Sequence, residues 1–141
     1  MGRGVEKKNL LNYIDKNNLN KIVKIINFRE NPFPILKKAN LFILSSKYEG
    51  LPNVLLEAIL LKKFIISSNC STGPREILLN GKGGFLFEVG DYEELSKKII
   101  FYYKNNLLLR KKIEYSYKNL NRFDYIKNMD SYYRLVKKFL Y

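Results

Sequence analysis

Residues 41–58 read LFILSSKYEGLPNVLLEA, and this stretch decides the fold class. The four apolar residues at its start are typical of a buried strand, and two serines follow them. Gly50 permits a tight turn with close approach of another backbone. Pro52 or Asn53 suits the first position of a helix. The stretch therefore predicts a strand, a turn, and a helix over about residues 53–62.

Short apolar runs alternate with helix-like segments on both sides of this stretch. Strands are predicted at residues 22–26, 41–44, 64–66 and 85–87. Helices are predicted at about residues 6–17, in a brief segment ending at Lys38, and at about 53–62, 75–79, 91–104, 106–119 and 124–140. This alternation predicts an α/β domain whose Rossmann-like parallel sheet has helices on both faces, followed by a helical C-terminus.

In such sheets ligands bind at the carboxyl ends of the strands. The loops after residues 22–26, 41–44 and 64–66 are therefore the candidates for a binding site. The chain opens on a turn containing Gly2 and Gly4, which leads into the first predicted helix with no strand before it. We expect the first strand of the Rossmann-like unit to be missing.

The composition excludes several kinds of chemistry. The chain has no histidine, and Cys70 is its single cysteine. An internal disulfide and a Ser-His-Asp triad are excluded, and a Cys/His zinc site is close to excluded. Chemistry must rest on carboxylates, backbone amides, Lys and Arg, or the ligand itself. We expect neither a metal nor a cofactor.

The loop after residues 41–44 has the chemistry of an anion site. Free backbone N–H groups and the positive end of a helix dipole would meet there, which suits a phosphate or diphosphate. The Glu49 carboxylate precedes the turn and could accept hydrogen bonds from sugar hydroxyls. Glu57 lies about 6 Å of rise into the helix. If it faces the cleft, it could accept both hydroxyls of a ribose.

Two segments carry a family resemblance. YEGLPNVLLEA at residues 48–58 and STGPREIL at residues 71–78 resemble the retaining GT-B glycosyltransferases called glycosyl transferases group 1. Their hallmark is two glutamates separated by seven residues, matched here by Glu49 and Glu57. The resemblance covers roughly residues 1–100 and corresponds to the C-terminal, donor-binding half. It implies sugar transfer from a nucleotide sugar with retention of configuration.

The resemblance also implies roles for individual residues. Glu49 would contact the donor sugar as the catalytic carboxylate, and Glu57 would hold the ribose. The diphosphate would bind the backbone of the turn formed by Gly50, Leu51, Pro52 and Asn53. Thr72 and Gly73 would border the donor pocket, and Phe28 falls where family members pack the nucleotide base, although it could equally be plain core. Glu76 lies near a predicted helix N-terminus, where the helix dipole by itself favours an acidic residue, so a ligand role for Glu76 stays open.

The same family resemblance implies the domain organisation of the chain. Residues 1–141 would form one nucleotide-sugar-binding domain, with an α/β core over about 1–100 and C-terminal helices over 101–141. The N-terminal acceptor domain would be absent, together with an Arg and a Lys that the family places near the donor phosphates. We therefore expect this chain to bind the donor weakly but not to catalyse sugar transfer. A UDP-linked hexose or N-acetylhexosamine is the expected donor, and a glycan or lipid-linked molecule the expected acceptor.

The charge leaves two other hypotheses open. The 26 basic and 13 acidic residues give a formal net charge of +13, which attracts phosphates, nucleic acid or anionic lipid. A nucleic-acid-binding module is the less favoured alternative, based on this charge and on 11 tyrosines and 9 phenylalanines. The other is contact with an anionic membrane through the basic C-terminal part. With no apolar run near 20 residues and no signal-like segment, we expect a cytoplasmic protein, with peripheral association at the inner face of the membrane.

Overall fold

The computed structural model describes residues 4–140. The chain divides into two compact units, Met1–Ile35 and Leu36–Tyr141. Gly2 lies outside the described residues, so the expected turn at the start of the chain is described only at Gly4. The helix α2, Phe33–Lys38, crosses the boundary between the two units and ends where the sequence predicted.

The first unit contains the helix α1, Lys7–Lys16, which confirms the helix predicted at about residues 6–17. Ile14 is the buried residue of this helix. The helix ends in a turn in which Asn18 has a φ of 55° and the Leu19 N–H donates to the Ile14 carbonyl at 2.9 Å.

The strand predicted at residues 22–26 is wrong. The N–H groups of Ile22 and Val23 both donate to the Leu19 carbonyl, at 2.9 and 2.8 Å, so these donors are used within a turn. Residues 23–26 have no regular structure, and a single bridge residue follows at Asn27. Ile22 is 81% exposed. The β-branched composition indicated a strand, but here local hydrogen bonds override that preference.

The second unit contains a parallel sheet. Its strands are β1 Leu41–Leu44, β2 Phe64–Ser68 and β3 Phe85–Phe87, in the order β1-β2-β3. Both pairings are parallel, with Leu41 opposite Phe64 and Ile66 opposite Phe85. All five residues of the central strand are buried, as expected for a strand covered on both faces. The α/β fold class and the parallel sheet are confirmed.

The helices of this unit follow the predicted order. They are α3 Asn53–Leu60, α4 Pro74–Ile77, α5 Tyr92–Asn105, α6 Arg110–Lys118, a 3₁₀ turn Leu120–Phe123, and α7 Tyr125–Leu140. The α3 helix ends before its predicted end because Lys62 adopts a left-handed φ of 53°. The α6 helix begins later than predicted because residues 106–109 form a turn. Within residues 4–140, no helix has the length and apolar character that crossing a membrane requires.

The side chains of β2 alternate between two hydrophobic clusters. Ile65 packs with Leu55, Ala58, Ile59, Ile77 and Leu78, which come from α3, α4 and the residue after α4. Phe64 and Ile66 pack on the other face with Phe87 and Leu109, and with residues of α5 and α6. The sheet therefore has helices on both faces, as the alternation of strands and helices predicted.

Candidate functional site

The loop after β1, residues 45–52, is held at its start by the central strand. Ser68 ends β2 and is 1% exposed. Its hydroxyl donates to the backbone carbonyl of Ser46 at 2.6 Å. A buried hydroxyl needs a partner of this kind, since leaving it without one costs about 1–3 kcal/mol. The β1–α3 loop is therefore tied to the strand beside it.

A second hydroxyl holds the same loop further along. Thr72, in the loop that follows β2 (residues 69–73), donates its hydroxyl to the backbone carbonyl of Glu49. The two hydroxyls thus hold the β1–α3 loop at residues 46 and 49. Between these points Tyr48 is 85% exposed. The backbone position of Glu49 is set by the neighbouring loop as well as by its own.

The two loops also touch backbone to backbone at Gly73. This glycine has a φ of +85°, and a β-carbon there would lie 2.1 Å from the Gly50 carbonyl oxygen. The same β-carbon would lie 2.5 Å from Cδ of Pro52. Gly73 is therefore required both by its conformation and by the closeness of the turn. The structure brings together the predicted residues Gly50, Pro52, Thr72 and Gly73.

The β1–α3 loop delivers the chain into the N-terminus of α3. Pro52 precedes the helix in an extended conformation and provides no side-chain cap. The N–H of Leu55 donates to the Pro52 carbonyl at 2.9 Å, while the N–H groups of Asn53 and Val54 precede any intrahelical acceptor. Pro52 itself has no N–H, so it cannot donate to a ligand. The donors that this turn can offer come from Gly50, Leu51 and the first turn of α3.

Glu49 and Glu57 are both partly buried. Glu57 lies in the second turn of α3. Over residues 4–140, neither carboxylate has a hydrogen-bond or ion-pair partner in the chain itself. A partly buried carboxylate accepts hydrogen bonds only, and hydroxyl groups of a ligand provide the matching donors. Both predicted glutamates are therefore available for a ligand.

A groove of about 430 Å³ lies beside the β2–α4 loop. Its lining residues are Ser71, Thr72, Gly73, Arg75, Glu76 and Asn80. The Arg75 guanidinium donates to the Asn69 side chain at 3.0 Å, and the Asn69 amide donates to the Glu88 carboxylate at 3.1 Å. This chain of hydrogen bonds orients the cationic side chain at the groove. Glu76 is exposed in the first turn of α4, where its ligand role stays a prediction.

Four residues of the candidate site were not predicted from the sequence: Ser46, Ser68, Asn69 and Arg75. A signal existed for Ser68, because a serine that ends a strongly apolar strand is expected to be buried and to need an acceptor. No comparable signal pointed to Asn69, since its role depends on Arg75 and Glu88, which meet only in the folded chain.

Phe28 lies in the first unit and is 52% exposed. The alternative that it is plain core is therefore wrong. Its role against a nucleotide base stays a prediction. Among the described residues, no group of three or more His, Cys, Asp or Glu side chains could hold a metal ion.

The chain is similar to a known protein family over most of its length. Residues 1–119 match the family model described as glycosyl transferases group 1. The chain belongs to the glycosyl transferases group 1 family. The match also covers residues 101–119, beyond the region in which the sequence motifs were recognised.

Two curated relatives are similar over parts of their length. The chain is 46% identical over 78 residues to the uncharacterized glycosyltransferase MJ1059 of Methanocaldococcus jannaschii, covering 55% of this chain and 19% of the relative. It is 29% identical over 119 residues to N-acetylgalactosamine-N,N'-diacetylbacillosaminyl-diphospho-undecaprenol 4-alpha-N-acetylgalactosaminyltransferase of Campylobacter jejuni. That match covers 84% of this chain and 31% of the relative. This member of the group 1 family thus spans about a fifth of the length of the first relative and about a third of the length of the second.

A solved structure shows the same fold. The crystal structure of Anabaena Alr3699/HepE in complex with UDP superposes with a TM-score of 0.83 at 21% identity. The superposition covers 93% of this chain and 36% of the other. Together with the family match, it confirms the resemblance to the C-terminal, donor-binding half of a GT-B glycosyltransferase.

Proposed function

We propose that the second unit binds a nucleotide sugar and acts as the donor-binding half of a glycosyltransferase. The observation that carries this proposal is an uncapped helix N-terminus beside two partly buried carboxylates without partners in the described chain. Such a set matches a ligand that has both anionic phosphates and neutral hydroxyl groups. A nucleotide sugar is a ligand of this kind.

The diphosphate would bind at the N-terminus of α3. The N–H groups of Asn53 and Val54, with those of Gly50 and Leu51, would donate to phosphate oxygens, and the helix dipole adds attraction. Gly50 has nothing within 4 Å of a β-carbon placed on it, so the backbone is open to close approach on that side. The contact between Gly73 and Gly50 supports this role because it fixes the turn before any ligand arrives.

The two glutamates would bind neutral parts of the ligand. A carboxylate repels a phosphate, so each must face hydroxyl groups. We assign the ribose hydroxyls to Glu57 and the donor-sugar hydroxyls to Glu49. In sugar transfer the bond between the anomeric carbon and a diphosphate oxygen breaks, the oxygen of an acceptor hydroxyl bonds to that carbon and loses its proton, and negative charge grows on the leaving diphosphate. The α3 N–H groups would stabilise that charge, while Glu49 would stabilise the electron-poor sugar.

The transfer proposed is retaining and needs neither a metal nor a cofactor. Its donor is a UDP-linked hexose or N-acetylhexosamine. The UDP bound by the Anabaena neighbour and the N-acetylgalactosaminyltransferase name of the Campylobacter relative support this choice. The relative's name also specifies a diphospho-undecaprenol-linked substrate, which supports a glycan or lipid-linked acceptor. Acceptor contacts would come from an N-terminal domain, and the complete enzyme would act at the cytoplasmic face of a membrane.

The test is calorimetric titration of the full chain with UDP, UDP-N-acetylglucosamine and UDP-N-acetylgalactosamine at low and high salt. We expect saturable binding of all three, with only a moderate salt effect. The Glu57→Gln variant should bind more weakly. Glu93→Gln is the matched control, because Glu93 is an exposed glutamate in the first turn of another helix.

Absence of binding by a chain that is folded by circular dichroism would contradict the proposal. In that case, steep salt-dependent binding of short single-stranded RNA or DNA would favour the nucleic-acid alternative, for which the net charge of +13 is the specific observation. Equal losses in the Glu57→Gln and Glu93→Gln variants would remove the assignment of Glu57 to the ribose.

A further inference from the structure

The turn between α5 and α6 exposes two consecutive leucines. Leu107 is 68% exposed and Leu108 is 75% exposed. The next residue, Leu109, is 7% exposed and packs with Phe64, Ile66 and Phe87 in the core. One leucine therefore anchors the turn while its two neighbours face solvent. We call residues 103–111 the α5–α6 tip.

Hydrogen bonds give this tip a defined backbone. The N–H of Leu108 donates to the Asn105 carbonyl at 3.0 Å. The side-chain amides of Asn105 and Asn106 donate back to the carbonyls of Phe101 and Tyr103, at 2.9 and 3.3 Å. The exposed leucines therefore lie on an ordered turn. Burying them elsewhere would require breaking this arrangement.

The surroundings of the leucines are basic. Residues 103–111 contain no acidic residue and carry three cations: Lys104, Arg110 and Lys111. The next residue, Lys112, is engaged within the protein, since it donates to the Gly81 carbonyl at 2.6 Å. Tyr103, four residues before Leu107, is 80% exposed. The tip thus combines aliphatic, aromatic and cationic side chains.

We propose that the α5–α6 tip docks on an anionic lipid surface, with Leu107 and Leu108 inserted below the headgroups. Aliphatic side chains bind the acyl boundary, tyrosine suits the interface, and Lys and Arg are attracted to anionic headgroups. This inference concerns a surface separate from the donor site and does not depend on nucleotide-sugar binding.

The composition of the tip favours lipid over two other partners. A second copy of the chain would bring the same cations against each other, and like charges oppose such a contact. Nucleic acid would pair with the cations and stack on Tyr103, but it would leave the two exposed leucines unused, because they contribute neither to phosphate contacts nor to base stacking. An anionic bilayer is the partner that uses both the leucines and the cations.

Vesicle co-sedimentation of the full chain tests the proposal. The vesicles contain phosphatidylcholine alone or phosphatidylcholine with about 30% phosphatidylglycerol, an anionic fraction large enough to give a negative surface potential. We expect binding to the anionic vesicles only. The double variant Leu107→Ser/Leu108→Ser should bind at least about fivefold more weakly, because two aliphatic side chains no longer insert. The control Val5→Ser/Ile22→Ser removes two aliphatic residues that are 93% and 81% exposed and should bind like the parent chain.

A charge pair of variants separates the tip from the overall charge. Lys104→Glu/Arg110→Glu should abolish most of the binding, whereas Lys8→Glu/Lys21→Glu, with the same change in net charge, should reduce it much less. Equal losses for these two variants would overturn the assignment to the tip. A parent chain that bound single-stranded RNA but did not bind anionic vesicles would also overturn it.

Fluorescence gives a direct measure of insertion. The chain has no tryptophan, so a Leu108→Trp variant carries a single indole at the tip. Its emission should shift to the blue with anionic vesicles and be quenched by brominated lipid acyl chains. An Ile22→Trp variant should show neither effect. An unshifted Leu108→Trp spectrum in the presence of bound vesicles would show that another surface is responsible.

Discussion

Gly73 lies directly against the carbonyl of Gly50, so that a β-carbon at position 73 would be 2.1 Å from that oxygen. The contact joins the loop after β1 to the loop after β2, the two loops at the carboxyl ends of neighbouring parallel strands. The Thr72 hydroxyl makes a second connection to the Glu49 carbonyl. The shape of the candidate donor turn is therefore determined by residues about 20 positions later in the chain.

Replacing Gly73 with alanine should disrupt this packing. The Gly73→Ala variant incurs strain from its φ of +85° and a clash with the Gly50 carbonyl. We expect the free energy of unfolding to fall by about 2–4 kcal/mol, of which about 1–2 kcal/mol is backbone strain. Binding of UDP should be lost or strongly reduced. Urea unfolding and calorimetry measure the two effects.

Gly90 provides the matched control. It has a φ of +87°, and a β-carbon there would have nothing within 4 Å. The Gly90→Ala variant therefore carries the backbone strain without the clash, and it should keep UDP binding. If Gly73→Ala and Gly90→Ala lost the same free energy of unfolding and bound UDP equally, the contact between the two loops would have no energetic importance.

The Thr72 hydroxyl should act by positioning Glu49. The Thr72→Val variant keeps the shape of the side chain but cannot donate to the Glu49 carbonyl. We expect binding of a UDP-sugar to weaken by about 0.5–1.5 kcal/mol, with a smaller effect on UDP alone. The Thr72→Ser variant should restore binding, because it keeps the hydroxyl. Failure of serine to restore binding, or equal losses for both ligands, would contradict a positioning role.

Much of this fold could be predicted because its signals are local. The strand at residues 41–44 and the turn at Gly50-Leu51-Pro52 depend on an apolar run and on residues with special backbone preferences. The strand predicted at residues 22–26 is wrong for a reason that is also local but is not visible in the composition. Its composition favours a strand, but the N–H groups of Ile22 and Val23 are already used by the Leu19 carbonyl.

The candidate site could be predicted in its composition but only partly in its geometry. The spacing of Glu49 and Glu57 was visible in the sequence, and so was the glycine at position 73. The hydroxyl contacts of Ser68 with Ser46 and of Thr72 with Glu49 join residues 22 and 23 positions apart. Contacts of this kind depend on which strands become neighbours, and that depends on the whole sheet.

The two glutamates should differ in which part of the ligand they bind. The Glu57→Gln variant should weaken binding of UDP and of a UDP-sugar by the same amount, about 1–3 kcal/mol, because both ligands contain the ribose. The Glu49→Gln variant should weaken only the UDP-sugar. Calorimetry with both ligands measures the difference. A Glu49→Gln variant that lost affinity equally for UDP and the UDP-sugar would contradict contact with the donor sugar.

The start of α5 gives a prediction about pH that is independent of ligand. The Glu94 N–H donates to the Asp91 side chain at 2.7 Å, so Asp91 caps the N-terminus of α5. The Glu94 carboxylate accepts from Lys98 and from the Glu88 N–H, at 2.8 and 2.9 Å. The hydrogen bond from Lys98, followed by that from Glu88, lowers the pKa of Glu94 from its ordinary value of 4.5.

A carboxyl whose pKa is lower in the folded state stabilises the fold above its unfolded pKa, and this contribution is lost as the pH falls through the folded pKa. The Glu94→Gln variant should therefore be less stable than the parent chain at pH 7 by a few tenths to about 1 kcal/mol, since the Glu94 side chain is 35% exposed and solvent screens its charge. The difference should shrink below about pH 4 as the parent's carboxyl becomes protonated. Urea unfolding across this pH range measures the difference in stability.

Glu93→Gln, in the same helical turn, is the control and should show a smaller effect. A Glu94→Gln deficit that stayed constant from pH 7 to pH 3 would show that the charge of Glu94 contributes nothing.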